Sequence, residues 1–156
     1  MTPAAPKQSN DPVILASART PVGKFLGGLS GLSAAELGQV AARAAVERSG
    51  VEPADISEII LGNVVAAGTG QALPRQVGIG AGLPVTVGGF TVNKVCGSAL
   101  KAVMLASNAI KTGDGDLYLA GGAESMSRAP FLDPTPRFGQ KYGHVQLLDS
   151  LQTDGL

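Results

Sequence analysis

Residues 99–110 spell a helix that cannot rest on a surface: Ala, Leu, Val, Met or Ile fills nearly every face, with Lys101, Ser107 and Asn108 as exceptions. A helix apolar almost all round must be covered on several sides, so it is expected inside the fold, between layers. Just before it, Phe90, Val92 and Val95 suit a half-buried extended run, and Gly97 with Ser98 suits a sharp turn and a helix start. The only cysteine, Cys96, falls between these two patterns. A helix N-terminus presents unpaired N–H groups and the positive end of the dipole, which favour an anion such as a thiolate, the nucleophilic form of cysteine. Cys96 is therefore the candidate nucleophile. A lone cysteine is also commonly an inert small hydrophobe. Residue type leaves both readings open, while the strand, turn and helix setting matches the mechanical solution that exposes a hydrolase serine at an elbow.

Upstream, residues 13–16 are a short apolar run that predicts a first, buried strand, ended by Arg19-Thr20-Pro21 because a residue before proline leaves helical space. After a glycine-marked loop, Ser33 and Glu36 form a capping box that opens a helix. Leu37, Val40, Ala41 and Ala44 are its expected apolar stripe, Glu36, Arg43 and Glu47 the opposite one, and Gly50 its stop. A short turn at 53–57, a strand at 59–61, a modest helix at 74–81 and a strand at 117–120 follow the same logic. Strand and helix patterns alternate from 13 to 120, which predicts an α/β architecture with covered sheets. Beyond Gly121-Gly122 the chain turns irregular and proline-rich, and Leu147, Leu148 and Leu151 with Asp149 predict a closing amphipathic helix without a completed partner, as if the chain stopped early.

Composition narrows the functional classes. Lys plus Arg and Asp plus Glu are 12 each, so no net field draws this chain to nucleic acid or to an anionic membrane. One cysteine makes no internal disulfide and no secretory or membrane-spanning stretch is visible, which predicts a reducing, cytoplasmic setting. Residues 1–10 form a polar, proline-bearing arm expected to be disordered. Gly68-Thr69-Gly70-Gln71 lacks the spacing of a P-loop or a dinucleotide fingerprint, so a phosphate cradle is not expected there. No metal site is expected either.

The run Val92-Asn93-Lys94-Val95-Cys96-Gly97-Ser98-Ala99-Leu100-Lys101-Ala102 closely resembles the acyl-enzyme segment of the thiolases, the acetyl-CoA acetyltransferase family. Arg19-Thr20-Pro21-Val22-Gly23-Lys24-Phe25, Gly62-Asn63-Val64 through Gly70-Gln71 with Arg75-Gln76, and Gly121-Gly122-Ala123-Glu124-Ser125-Met126-Ser127-Arg128-Ala129-Pro130 resemble further thiolase segments in family order. Members of that family are more than twice this long, so the resemblance is to the N-terminal half. It implies a thiolase-like layered αβαβα fold of which this chain is the N-terminal half only, with an N-terminal domain at 11–122 and the start of a loop domain, incomplete, at 123–156. It implies Cys96 as the acyl-accepting nucleophile, with its backbone N–H as one oxyanion donor. It also implies acetyl-CoA and 3-ketoacyl-CoA as substrates, with no resident cofactor, and a homodimer or homotetramer when complete.

The family's activating histidine, second cysteine and water-positioning asparagine belong to a C-terminal half. The single histidine, His144, is expected to be a surface or structural residue. Lys24, Lys94 and Arg75 are expected to be solvated or interface charges rather than coenzyme A ligands, and Asp114, Asp116 and Glu124 flank loops as weak lone bases. Two alternatives stand beside the enzyme: a non-catalytic dimerising fragment, and one half of a split thiolase. A decarboxylating ketoacyl synthase on the same fold is disfavoured by the Cys96-Gly97-Ser98-Ala99-Leu100-Lys101 match and the Met126 loop.

Overall fold

The computed structural model describes residues 11–156, and the arm expected at 1–10 lies outside the described residues. Helix α1 (Ala34–Ser49) begins as its sequence predicts: Ser33 Oγ accepts from Glu36 N, and the Glu36 carboxylate accepts from Ser33 N at 2.7 Å. These bonds from Ser33 hold the Glu36 carboxyl below its ordinary value. A single turn at Pro53–Asp55 leads to strand β1 (Glu58–Gly62), then to helix α2 (Leu73–Ala81), strand β2 (Gly88–Val92), helix α3 (Ser98–Thr112) and strand β3 (Tyr118–Gly122). The three strands form a parallel sheet in the order β2-β1-β3, with Ile60 opposite both Phe90 and Ala120.

Strand β1 is the axis of the fold. Its side chains alternate between two faces, as the two-residue period of a strand requires, and both faces are covered. Ile59 and Leu61 join the larger core with Ala35, Ala42, Leu73 and Val77, under α1 and α2. Ile60 points the other way, onto Ala102 and Ala106 of α3. The α/β expectation is met, with α1 and α2 on one face and α3 on the other.

Three expectations fail. The buried stripe of α1 is Ala34, Ala35, Gly38 and Ala42, whereas Val40 is exposed. Close packing decides this: a Cβ added at Gly38 would lie 2.7 Å from Val77 Cγ2, so only the side with the smallest residues can approach α2. Residues 13–16 are not a strand: Val13 and Ile14 are exposed, and no described strand pairs with this run, although β2 and β3 each pair on one side only among the described residues. The closing helix is also absent: Leu148–Asp149 forms strand β5, paired antiparallel with β4 (Phe131–Leu132), and only a π-helical turn follows at Leu151–Gly155. The expectation of burial for α3 holds on one side alone, since Leu100 is 67% exposed and Met104 51%. Among the described residues no helix is long and apolar enough to cross a membrane.

Candidate active site at the tip of helix α3

Cys96 sits between the end of β2 and the first turn of α3, at the carboxyl end of the parallel sheet, where open α/β sheets place their ligands. The connection is short and internally tied. Asn93 Oδ1 accepts from Val95 N at 2.9 Å, Lys94 O accepts from Gly97 N at 3.0 Å, and Val95 O accepts from Ser98 N at 3.1 Å. Buried Ser98 closes the turn from the helix side: its Oγ accepts from Lys94 N at 2.8 Å and donates to Val95 O at 2.6 Å. This places Val95 at φ 48°, the left-handed region, where a β-branched side chain is rare. Val95 was expected to continue the extended run; instead the backbone reverses at it and turns Cys96 outward, exposed.

The tip is also pressed onto the sheet. A Cβ added at Gly62 would fall 2.6 Å from Ala99 N and 2.6 Å from Ser98 C, and one added at Gly122 would fall 2.9 Å from Ala99 Cβ. Two glycine strand ends therefore let the first turn of α3 lie directly on β1 and β3. The result is a cleft of about 350 Å³ lined by Cys96, Val95, Asn63, Glu124 and Met126, among others. Among the described residues Glu124 supplies its one charged side chain. Asn63 Nδ2 donates to Glu124 Oε1 at 2.7 Å and to Ala123 O at 3.1 Å, and Val64 N donates to Glu124 Oε2 at 2.9 Å.

Of the other residues weighed from sequence, none joins this cleft. His144 is exposed in the loop between β4 and β5, as expected of a surface histidine. Lys24 and Lys94 are exposed, but Arg75 is half-buried and donates to Val87 O at 2.5 Å, so it ties α2 to the entry of β2 and is not a solvated charge. The loop at 68–71 is spent on itself: Thr69 Oγ1 donates to Ala66 O, and Gln76 Nε2 donates to Thr69 O and Gln71 O. Sequence reasoning missed Asn63 and Glu124 as a pair, because no spacing rule links residues at the ends of two different strands. No group of three or more metal-ligating side chains occurs among the described residues.

Residues 12–156 match the family model for the thiolase N-terminal domain. The chain is 53% identical over 146 residues to an acetyl-CoA acetyltransferase of Cupriavidus necator, covering 94% of this chain and 37% of that protein. It is 51% identical to a cytosolic acetyl-CoA acetyltransferase of Gibberella zeae, covering 92% of this chain and 36% of that protein. Among solved structures, a thiolase of Ascaris suum in complex with coenzyme A superposes with a TM-score of 0.89 at 43% identity, over 94% of this chain and 38% of that one. The chain thus spans a little over a third of the length of the relatives it matches.

Proposed function

This chain belongs to the thiolase family, matching its N-terminal domain, and on that premise we propose that it contributes the acyl-accepting half of an acetyl-CoA acetyltransferase, with Cys96 as the nucleophile. The observation that carries the reading is the setting of Cys96: exposed, on a strained turn at the tip of α3, at the lip of a cleft beyond the carboxyl ends of the strands. In the proposed step the Cys96 thiolate attacks the carbonyl carbon of a coenzyme A thioester. A new carbon–sulfur bond forms, the bond to coenzyme A breaks, and coenzyme A leaves as a thiolate that takes a proton from the medium. The Cys96 backbone N–H, which the turn's own hydrogen bonds do not use, is a donor for the developing oxyanion. Condensation with a second acetyl-CoA, or thiolysis of a 3-ketoacyl-CoA in reverse, needs a base and further donors, and these are assigned to the portion of the family's length that this chain does not span.

Coenzyme A thioesters as substrates, no resident cofactor, and a homodimer or homotetramer belong to the same proposal. The coenzyme A in the Ascaris suum structure supports the first of these. A cytosolic setting is proposed with them, supported by the name of the Gibberella zeae relative. Residues from 123 onward are proposed as the beginning of the family's loop domain. One observation favours a second reading, in which this chain pairs with a separately made C-terminal half: the outer face of α3, with Leu100 and Met104, is left open to solvent.

The test is acylation. After incubation with acetyl-CoA, intact-mass measurement is expected to show a single acetyl adduct that peptide mapping assigns to Cys96 and that Cys96→Ser abolishes. An adduct elsewhere, or none in the complete polypeptide, rejects Cys96 as the acyl acceptor.

A further inference from the structure

The cleft beside Cys96 holds a carboxylate whose two oxygens each accept from the strand exit beside it, one from a side-chain amide and one from a backbone N–H. Glu124 Oε1 takes the Asn63 amide and Oε2 takes the Val64 N–H. Asn63 is 4% exposed, and its amide is pinned a second time by Ala123 O. The exits of β1 and β3 are thereby locked to each other, a lock completed by the bond from Ala123 N to Gly62 O at 3.1 Å. The exit of β2 joins through Asn63 N, which donates to Val92 O at 3.2 Å. Gly62, inside this lock, is the surface on which Ser98 and Ala99 rest at contact so close that no Cβ fits between them.

We propose that Glu124 is a positioning residue for the Cys96 reaction, acting through Asn63 and Val64 to fix the β1 exit that supports the first turn of α3. The proposal rests on the reading of Cys96 as acyl acceptor. A carboxylate suits the role for a stoichiometric reason. It offers two acceptor oxygens to two N–H donors, whereas the isosteric amide offers one oxygen and turns an NH2 group toward a donor. Glu124→Gln therefore breaks one strut without emptying the site. Each oxygen already holds one structural N–H, and the kcat and KM of Glu124→Gln separate positioning from general-base work.

The experiment uses the complete polypeptide that carries this domain. Acetylation of Cys96 is first checked by mass in the unmodified protein, and its absence overturns both the reading and the inference built on it. With acetylation present, thiolysis of acetoacetyl-CoA is compared for Glu124→Gln, Asn63→Ala and the double variant. Misplacing a reacting group by about 1 Å can cost on the order of 100-fold, so kcat is expected to fall by about 10- to 100-fold in each single variant. KM is expected to stay within about threefold, because uniform binding is not what is lost. The double variant is expected to resemble the singles rather than multiply them, as partners in one contact do. Unchanged kcat in Glu124→Gln while Cys96 still acetylates, or effects that multiply in the double variant, overturn the inference and leave the nucleophile intact. If Glu124→Gln gives no soluble protein, Asn63→Ala removes the same contact from the other side, and its kcat and KM are read by the same criteria.

Discussion

Val95, next to Cys96, holds a left-handed backbone conformation, and Ser98 is the side chain that bonds both ends of its turn. A non-glycine residue in the left-handed region costs roughly 1–2 kcal/mol, so the turn persists only while its surroundings fix it. Ser98 Oγ bonds both ends of the turn, accepting from Lys94 N and donating to Val95 O. Ser98→Ala leaves the Lys94 N–H without that acceptor and Val95 O without that donor, a loss of about 1 kcal/mol in urea unfolding. The turn then relaxes, and carbamidomethylation of Cys96 by iodoacetamide is expected to change in rate by several-fold relative to the unmodified protein. A variant with unaltered urea midpoint and alkylation rate would show that the turn is held by its backbone bonds alone. Val95 itself has no such test in a single change, because its side chain also lines the cleft.

At the level of elements, the contact between β1 and α3 decides where Cys96 stands. Gly62→Ala drives a methyl group against the backbone of Ser98 and Ala99 at 2.6 Å, and backbone cannot rotate out of the way. Gly78→Ala is a fair control: the added methyl meets the far end of the Ile59 side chain, which can change rotamer. Overpacking typically costs about 1–3 kcal/mol, and Gly62→Ala is expected near or above the top of that range, with Gly78→Ala clearly milder in thermal melts. Equal melting temperatures for the two would mean that α3 moves freely over the sheet. These elements were legible in the sequence to unequal degrees. The capping box at Ser33 and Glu36 and the Gly97-Ser98 helix start involve residues a few positions apart, and local chemistry settled them. The stripe of α1 was misjudged because Gly38 and Ala42 look weak as hydrophobes, yet close approach to Val77 rewards small size. Residues 13–16 look like a strand from propensity, but a ladder needs a partner strand laid alongside, which propensity does not report. In the site, Cys96 was found from its neighbours in sequence, whereas Asn63 and Glu124 meet only because β1 and β3 lie side by side.

Taken whole, the described residues present Cys96, the proposed nucleophile, at a helix tip and little else that the proposed reaction would require. Besides Cys96, the cleft lining among the described residues offers one ionisable side chain, Glu124, whose two oxygens each accept an N–H. His144 is exposed in the loop between β4 and β5 and does not line the cleft. Carbon–carbon bond formation between acetyl groups needs a base for a carbon-bound proton and donors for the resulting enolate, and thiolysis needs the same groups in reverse. Members of one catalytic unit are strongly non-additive, so a nucleophile without its partners retains little of the full rate. The 156-residue chain assayed alone is therefore expected to give no measurable cleavage of acetoacetyl-CoA with free coenzyme A. The same chain joined to the C-terminal portion of an acetyl-CoA acetyltransferase is expected to turn over, and Cys96→Ser is expected to abolish that turnover. Cleavage by the chain alone that vanishes in Cys96→Ser would reverse the expectation and direct attention to Glu124 as a base, since among the described residues it is the only carboxylate side chain on the cleft wall. In that event Glu124→Gln would abolish cleavage outright, whereas a positioning role leaves a residual rate with KM nearly unchanged.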